Sequence, residues 1–458
     1  MNSSKLNQPT AASVPAQTKT PRPENQSCET ALPSIERVAV RHSGKILMAI
    51  VAVALLVRLA AAFAFSDINP GTANTWEYGE IAANAMKYHA LVREVHNASG
   101  AELIYPTAYM PPFLSFIWMG VFWLLGVTKA ALAAMIAFNV ACGTAIAYYV
   151  YRIAKTLFRT ETVALAAAAI AGLHPVFVFS VATYHALNFY ILLLLFIVDL
   201  SSTRYQATFM RAILIGVLLG VAALTRTEYL VLGGAVLLGA LWRHRLPWTT
   251  LASLVVAAAI ILPWTIRNYI VMERFIPVAN SAGYNMFKGF NPEANGSGHW
   301  VDTHDVRKKF LDAKLAAIPY TRNYESDVDD MMHSAAKDFI ATHPWQAFVI
   351  LPVKKILLFW FFDYHDPVTH SLMYQISFWL VFLLSTTGIV LCGTQGLLLR
   401  NPDHRTIMTL FVTETLVMAS YAVHARYRMN VDPFLFCYAA YAAAQFFMRT
   451  RTIDTSPT

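Results

Sequence analysis

Charge is what this sequence has least of. Asp, Glu, Lys and Arg make up 14% of its 458 residues against 57% hydrophobic ones, and the mean hydropathy is +0.46. An ordinary soluble domain, with about 25% charged residues, is excluded. Cysteine is also scarce: Cys28, Cys142, Cys392 and Cys437 fall in the N-terminal segment or inside apolar runs with no CxxC spacing, so neither a disulfide framework nor a zinc site is indicated. His89, His96, His299, His304 and His333 lie in polar stretches, but no HExxH or HxxxH pattern occurs. The reading is therefore no cofactor, with a divalent metal held by these histidines and the paired acids Glu77 and Glu80 as the minor alternative. A GxxxxGK[ST] phosphate loop is missing, which argues against an ATP-driven pump. The half-chain symmetry expected of a secondary transporter is missing too.

What is there is apolar sequence in long blocks. Runs recur at 46–65, 130–151, 161–180, 185–200, 211–224, 229–242, 249–266, 374–399, 406–423 and 431–447, near or somewhat below the roughly 20 residues a spanning helix needs. Backbone groups in lipid must be satisfied internally, so these runs are read as helices. The fold class is an all-α polytopic membrane protein, a bundle of about 10–12 helices. The runs 112–126 and 345–362, the latter interrupted by Lys354 and Lys355, are expected to be re-entrant or surface-lying.

The net charge of +8 reflects orientation, not nucleic-acid binding. Arg37, Arg41 and Lys45 precede the first run, and basic clusters recur at Arg152/Lys155/Arg159, Arg204/Arg211, Arg243/Arg245, Arg400/Arg405 and Arg449/Arg451. The positive-inside rule then puts the N-terminus in the cytoplasm. It divides the chain into a disordered cytoplasmic tail over 1–44, a membrane domain over 45–450 and a short cytoplasmic tail over 451–458. Two polar loops, 66–111 and 268–344, are expected on the extracytoplasmic face. The first run has no small-residue cleavage site after it and is expected to stay as an anchor.

The first loop carries Trp76-Glu77-Tyr78-Gly79-Glu80-Ile81-Ala82 and Tyr105-Pro106-Thr107-Ala108-Tyr109-Met110-Pro111-Pro112. Ile81, Ala85 and Tyr88 share a helical face, which predicts a surface helix over 76–88. Glu77 and Glu80, three apart, share a face too, a spacing that suits general-base catalysis by one acid tuned by the other; a solvated polar face is the bland alternative. The second loop reads as irregular over 280–298 and helical around 328–340. Arg58 lies deep in the first run, where an arginine costs about 3 kcal/mol unless paired or snorkelling. Arg226, Arg267, Arg426 and Arg428 fall on the outer side against the charge bias. Guanidinium groups there suit a phosphate headgroup, although local pairing, such as Arg226 with Glu228, explains each one singly.

These residues resemble the integral-membrane C-type (GT-C) glycosyltransferases, specifically the family of the protein O-mannosyltransferases and lipid A aminoarabinose transferases. The resemblance runs from Arg58 to Phe447. It is carried by Tyr78-Gly79-Glu80-Ile81-Ala82, the Pro106 to Pro112 stretch, Leu224-Thr225-Arg226, Pro263-Trp264-Thr265-Ile266-Arg267-Asn268-Tyr269, Gly289-Phe290-Asn291-Pro292-Glu293-Ala294-Asn295-Gly296, Lys354-Lys355-Ile356-Leu357-Leu358-Phe359-Trp360 and Arg426-Tyr427-Arg428, in that order. It implies an enzyme of the cell (inner) membrane that takes a sugar from a polyprenyl-phosphate donor and passes it, with inversion, to a lipid, glycan or protein acceptor. Glu77 first and Glu80 second are the expected base. Arg58, Arg226, Arg267, Arg426 and Arg428 are expected to bind the donor phosphate, and Trp76, Tyr78, Tyr105, Tyr109 and Tyr427 to contact sugar or lipid. Two positions depart from the family: Asn74 stands where members have Asp, and Met110 where they have Lys. The rival reading is a non-catalytic protein that binds or translocates polyprenyl-phosphate lipid.

Overall fold

The computed structural model describes residues 34–96, 102–244 and 247–453; the expected tails fall outside them for 1–33 and 454–458. In chain order the main elements are helix α1 (Ser34–Phe65), α2 (Trp76–Tyr88), strands β1 (Val92–His96) and β2 (Glu102–Pro106), α3 (Phe113–Leu125), α4 (Lys129–Phe158), α5 (Glu161–Leu173), α6 (Leu187–Leu200), α7 (Phe209–Ala223), α8 (Tyr229–His244) and α9 (Pro247–Met272). They continue with α10 (Ala282–Gly289), α11 (Gly298–Thr303), α12 (Val306–Ala316), α13 (Tyr324–Thr342), α14 (Leu351–Trp360), α15 (Leu372–Thr394), α16 (Pro402–Ser420) and α17 (Asp432–Ile453).

The chain is an all-α multi-pass membrane architecture, but its apolar runs do not all make equal helices. Among the described residues α1, α4, α9 and α15 are each long and apolar enough to cross a membrane, and α5 with the following Pro175–Ala182 segment, bent by 54°, makes a broken span or a re-entrant loop. Helices α3, α5, α6, α7 and α8 have 13 to 16 residues. They rise about 20–24 Å, short of the roughly 30 Å hydrocarbon core. α17 is the central post: every residue from Val431 to Ala442 is buried, as a helix apolar on all sides demands.

Close approach of helices is bought with small residues. Gly216 and Gly220 on α7 face α9, where an added Cβ would come within 2.5 Å of the Ser253 carbonyl and 2.6 Å of Ile260 Cβ. The Ser253 hydroxyl reaches across to the Ala212 carbonyl at 2.9 Å. This is the small-xxx-small packing of membrane helices.

The break after α5 explains Arg58. Pro175 has no N–H to offer the Ala171 carbonyl four residues back. The Arg58 guanidinium, fully buried, takes that place, donating to Ala171 O at 3.1 Å and to Gly172 O at 2.6 Å. A third bond returns to Ala54 O on its own helix at 3.1 Å. The cation thus caps a helix C-terminus, where the dipole favours it. At the other end of α5 the Glu36 carboxylate accepts from the N–H groups of Glu161 and Thr162 at 2.7 and 3.0 Å. Residues 34–44, which composition places in the tail, are therefore helical and tied to the bundle.

The two polar loops lie together at one end. Asn280 N–H donates to Ala108 O at 2.7 Å, and the Tyr105 and Tyr324 rings meet at 5.5 Å. The surface helix over 76–88 forms as its periodicity predicts, burying Tyr78, Ile81, Ala82 and Ala85. The antiparallel hairpin that follows, with Arg93 opposite Tyr105, has no counterpart in the sequence reading. The 280–298 stretch, expected to be irregular, holds α10. Phe287 of that helix packs with Val301, Val306, Leu311, Met332 and Ala336 in a small core of its own.

Candidate active site

The site grows out of the start of α2. Trp76 sits at φ +55°, a conformation bulky residues rarely adopt, and its N–H is received by the Asn74 side chain at 3.0 Å. Gly79 lies so close over this turn that an added Cβ would fall 2.4 Å from Thr75 Cβ. The Trp76 ring then stands 5.2 Å from the Arg426 guanidinium and edge-on to His185 at 5.1 Å. Backbone outliers of this kind persist where the surroundings over-determine them.

Beside it opens an inner cavity of about 490 Å³, walled by Trp76, Glu77, Tyr78, His185, Arg226, Arg426 and Tyr427, with Leu230, Val231, Val417 and Met418 on one flank. Leu230 and Val231 are about half exposed, so that flank of the cavity is apolar and opens at the surface of the bundle. Its two arginines differ. Arg226 donates to Tyr190 Oη at 2.9 Å and to Glu228 at 2.8 Å. Arg426 lies over Trp76 and Tyr427, the latter at 5.6 Å, and its Nε has no hydrogen-bond partner. Among the described residues it has no carboxylate partner.

An outer cavity of about 590 Å³ is built from the two loops. It shares Glu77, Tyr109, Tyr284, Lys288 and Asp302 with the inner one, so these five form a common wall with Glu77 on both sides of it. Lys288 Nζ reaches Asp302 at 2.6 Å and His424 Nε2 at 3.1 Å, which anchors α10 and α11 to the segment carrying Arg426. Burial, reinforced by Lys288 and Arg426, pushes the His424 imidazole well below its usual range, so at neutral pH it accepts from the lysine. Glu325 holds the first loop in place, accepting from the Thr107 hydroxyl, from Ala108 N–H at 2.9 Å and from Asn280 at 3.3 Å. Burial still raises its carboxyl above the ordinary range against these bonds. Burial likewise pushes the Tyr105 phenol up to about 12.

Of the residues singled out in the sequence, the structure brings Trp76, Glu77, Tyr78, Tyr109, Arg226, Arg426 and Tyr427 to the inner cavity, and Glu77, Tyr105 and Tyr109 to the outer one. It leaves four outside both. Glu80 faces Arg93 at 3.7 Å, and Arg58 caps α5. Arg267 donates to the carbonyls of Thr107 at 2.8 Å and Leu91 at 3.2 Å, clasping both ends of the hairpin. Arg428 pairs with Asp432 at 2.9 Å beneath the Phe378 ring. Lys288, Asp302, Tyr284 and His185 line the cavities without having been singled out, and none carries a spacing motif; Glu228, named only as a local partner for Arg226, lines the inner one. Among the described residues no group of three or more His, Cys, Asp or Glu side chains converges as metal ligands.

No protein-family model matches the sequence, and no curated protein matches it. Solved structures do. The archaeal oligosaccharyltransferase AglB from Archaeoglobus fulgidus, in complex with an inhibitory peptide and a dolichol-phosphate, aligns over 91% of this chain and 53% of its own, with a TM-score of 0.55 and 13% identity. The Archaeoglobus fulgidus oligosaccharyltransferase tethered to an acceptor peptide containing the NVT sequon aligns over 88% and 50%, again at 0.55 and 13%. ArnT from Cupriavidus metallidurans in the apo state aligns over 88% of this chain and 78% of its own at a TM-score of 0.36 and 16% identity, a superposition too loose to argue from. The chain thus spans about half the length of the archaeal enzyme. At such identity the likeness is one of fold alone: the chain shares the membrane-helix architecture of the archaeal oligosaccharyltransferase.

Proposed function

We propose that this chain, with a C-type glycosyltransferase fold, transfers a sugar from a polyprenyl-phosphate donor to an acceptor hydroxyl at the extracytoplasmic face of the cell membrane. The observation that carries the reading is Arg426: an aromatic-sandwiched guanidinium without a carboxylate partner among the described residues, in a cavity whose apolar flank opens at the surface of the bundle. That is a place for a phosphate joined to an isoprenoid tail. The dolichol-phosphate bound by the archaeal neighbour is a ligand of this chemistry.

In the reaction, the acceptor oxygen forms a bond to the anomeric carbon as the bond from that carbon to the phosphate oxygen breaks, with inversion. The electron pair leaves on the phosphate, whose charge rises toward two, and the hydroxyl proton passes to Glu77 on the common wall. Arg426, with Arg226 behind it, meets the growing charge through preorganised guanidinium donors, and one such donor is typically worth about 3–4 kcal/mol at the transition state. No cofactor takes part in this scheme.

Purified protein supplied with a labelled polyprenyl-phosphate sugar and a membrane extract as acceptor source tests the reading. Label should appear in an acceptor fraction and free polyprenyl phosphate should accumulate. Tight donor binding with neither product would instead identify a lipid-binding or lipid-translocating protein.

A further inference from the structure

We infer that the outer cavity is the acceptor subsite and that the acceptor it takes is a carbohydrate; the inference rests on the glycosyl-transfer reading above. Two tyrosine pairs carry it. Tyr105 meets Tyr324 at 5.5 Å and Tyr109 meets Tyr284 at 6.1 Å, and all four rings line the chamber that leads to Glu77. Pyranose rings offer apolar C–H faces to stack on such rings and hydroxyls around their rim, and a large rigid aromatic surface binds them at small entropic cost.

The polar groups of the wall narrow the choice. Three of its five carboxylates are engaged: Glu325 accepts from Thr107, Ala108 and Asn280, Asp329 from the N–H groups of Gly283 and Tyr284, both at 2.9 Å, and Asp302 from Lys288 and Tyr284; the other two are Glu77, the proposed base, and Asp305. A cationic acceptor group would find few of them free. Arg307 lines the chamber with no carboxylate partner among the described residues, and its charge acts on Tyr109, Tyr284 and Tyr324. A donor fork beside aromatic faces matches vicinal hydroxyl oxygens.

The backbone argues against a peptide held in extended form. Arg93 and Val95, two apart, project from one face of β1, and Tyr105 is the register partner of Arg93. The hairpin therefore meets the chamber with a face of side chains, whereas strand addition needs an edge of free N–H and C=O groups. A lipid acceptor is disfavoured because loop elements wall this chamber, and the apolar flank belongs to the inner cavity.

The test is saturation-transfer difference NMR on the full-length protein in nanodiscs without donor. The probes are neutral and uronic-acid-containing trisaccharides and Ser/Thr-containing hexapeptides. At least one trisaccharide should show saturation of its ring protons. Tyr324→Ala should weaken that binding several-fold to about tenfold, while Tyr324→Phe, which keeps the ring, should retain it, so loss of the fold is separable from loss of the platform. Peptide binding without saccharide binding, no binding by any saccharide, or equal affinity in Tyr324→Ala overturns the inference. Saccharide binding through Tyr324 with no sugar transfer from any polyprenyl-phosphate donor sinks the reaction and leaves the subsite standing; transfer onto the peptides does the reverse.

Discussion

The Arg426 guanidinium lies 5.2 Å from the Trp76 ring centroid with no carboxylate among the described residues to answer it, while Arg226, in the same cavity, is bonded to Glu228 at 2.8 Å. One arginine is left available to a ligand and the other is held by the protein. Arg426→Lys should therefore raise the donor KM at least tenfold, since a lysine cannot reproduce the planar fork stacked on rings. It leaves no acid unpaired, so the melting midpoint in detergent should shift by no more than about 0.5 kcal/mol equivalent. Arg226→Lys should lower stability as well, by about 1–3 kcal/mol, because one ammonium cannot reach both Glu228 and Tyr190 as the two guanidinium nitrogens do, leaving a buried group unpaired. Donor titration and thermal unfolding of both variants separate the roles.

Glu77 and Glu80 are three residues apart yet meet different surroundings. Glu77 borders both cavities; Glu80 borders neither and faces Arg93. Glu77→Gln should cost about 10² to 10⁴ in turnover with donor binding intact. Glu80→Gln loses only a part-exposed ion pair worth about 0–1 kcal/mol and should stay near parental turnover. Single-turnover transfer rates decide it, and the reverse ranking would move the base to Glu80.

Arg58 should behave as a structural residue. Replacing it by Met leaves the Ala171 and Gly172 carbonyls without their donor, at about 1–3 kcal/mol for each buried group left unsatisfied. Arg58→Met should thus melt markedly lower while the surviving folded fraction keeps the parental donor KM. A raised donor KM at unchanged stability would instead place Arg58 in the phosphate site.

His424 predicts a pH dependence of stability. Its folded-state imidazole is held well below the ordinary value by burial and by Lys288 and Arg426. In the unfolded chain it takes up a proton as pH falls through about 6.5. Below that pH the unfolded state binds more protons, so stability is complete above it and drops on acidification, by up to about 1.4 kcal/mol per pH unit for one group. His424→Gln cannot titrate and should show a shallower loss of melting temperature from pH 7 to 5 than the parent; parallel curves would contradict the assignment.

Much of the fold was legible because lipid allows few solutions: apolar runs had to be helices, and basic clusters had to lie beside them. Helix length was less legible, since a run such as 185–200 reads alike whether it spans or sits buried as α6 among longer neighbours. In the site, charge set against the expected orientation has more than one cause. Arg226 and Arg426 reach a cavity, whereas Arg58, Arg267 and Arg428 answer carbonyls or a local acid, and sequence shows the same oddity for all five. Lys288, Asp302 and His424 escaped notice because their juxtaposition depends on how α10 and α11 fold back onto the segment before α17, which no local spacing encodes.

Arg267 has a mechanical consequence. It stands four residues beyond Pro263, which lies inside the 26-residue helix α9 and leaves the Ala259 carbonyl without its helical donor. Past that weakened turn, the guanidinium holds the carbonyls of Leu91 and Thr107 on either side of the hairpin. One side chain therefore ties the end of α9 to the hairpin beyond that turn. Long helices answer a thinner or thicker bilayer by tilting, and a tilt of this helix end would bear, through those two bonds, on the hairpin whose Arg93, Val95 and Tyr105 line the outer cavity.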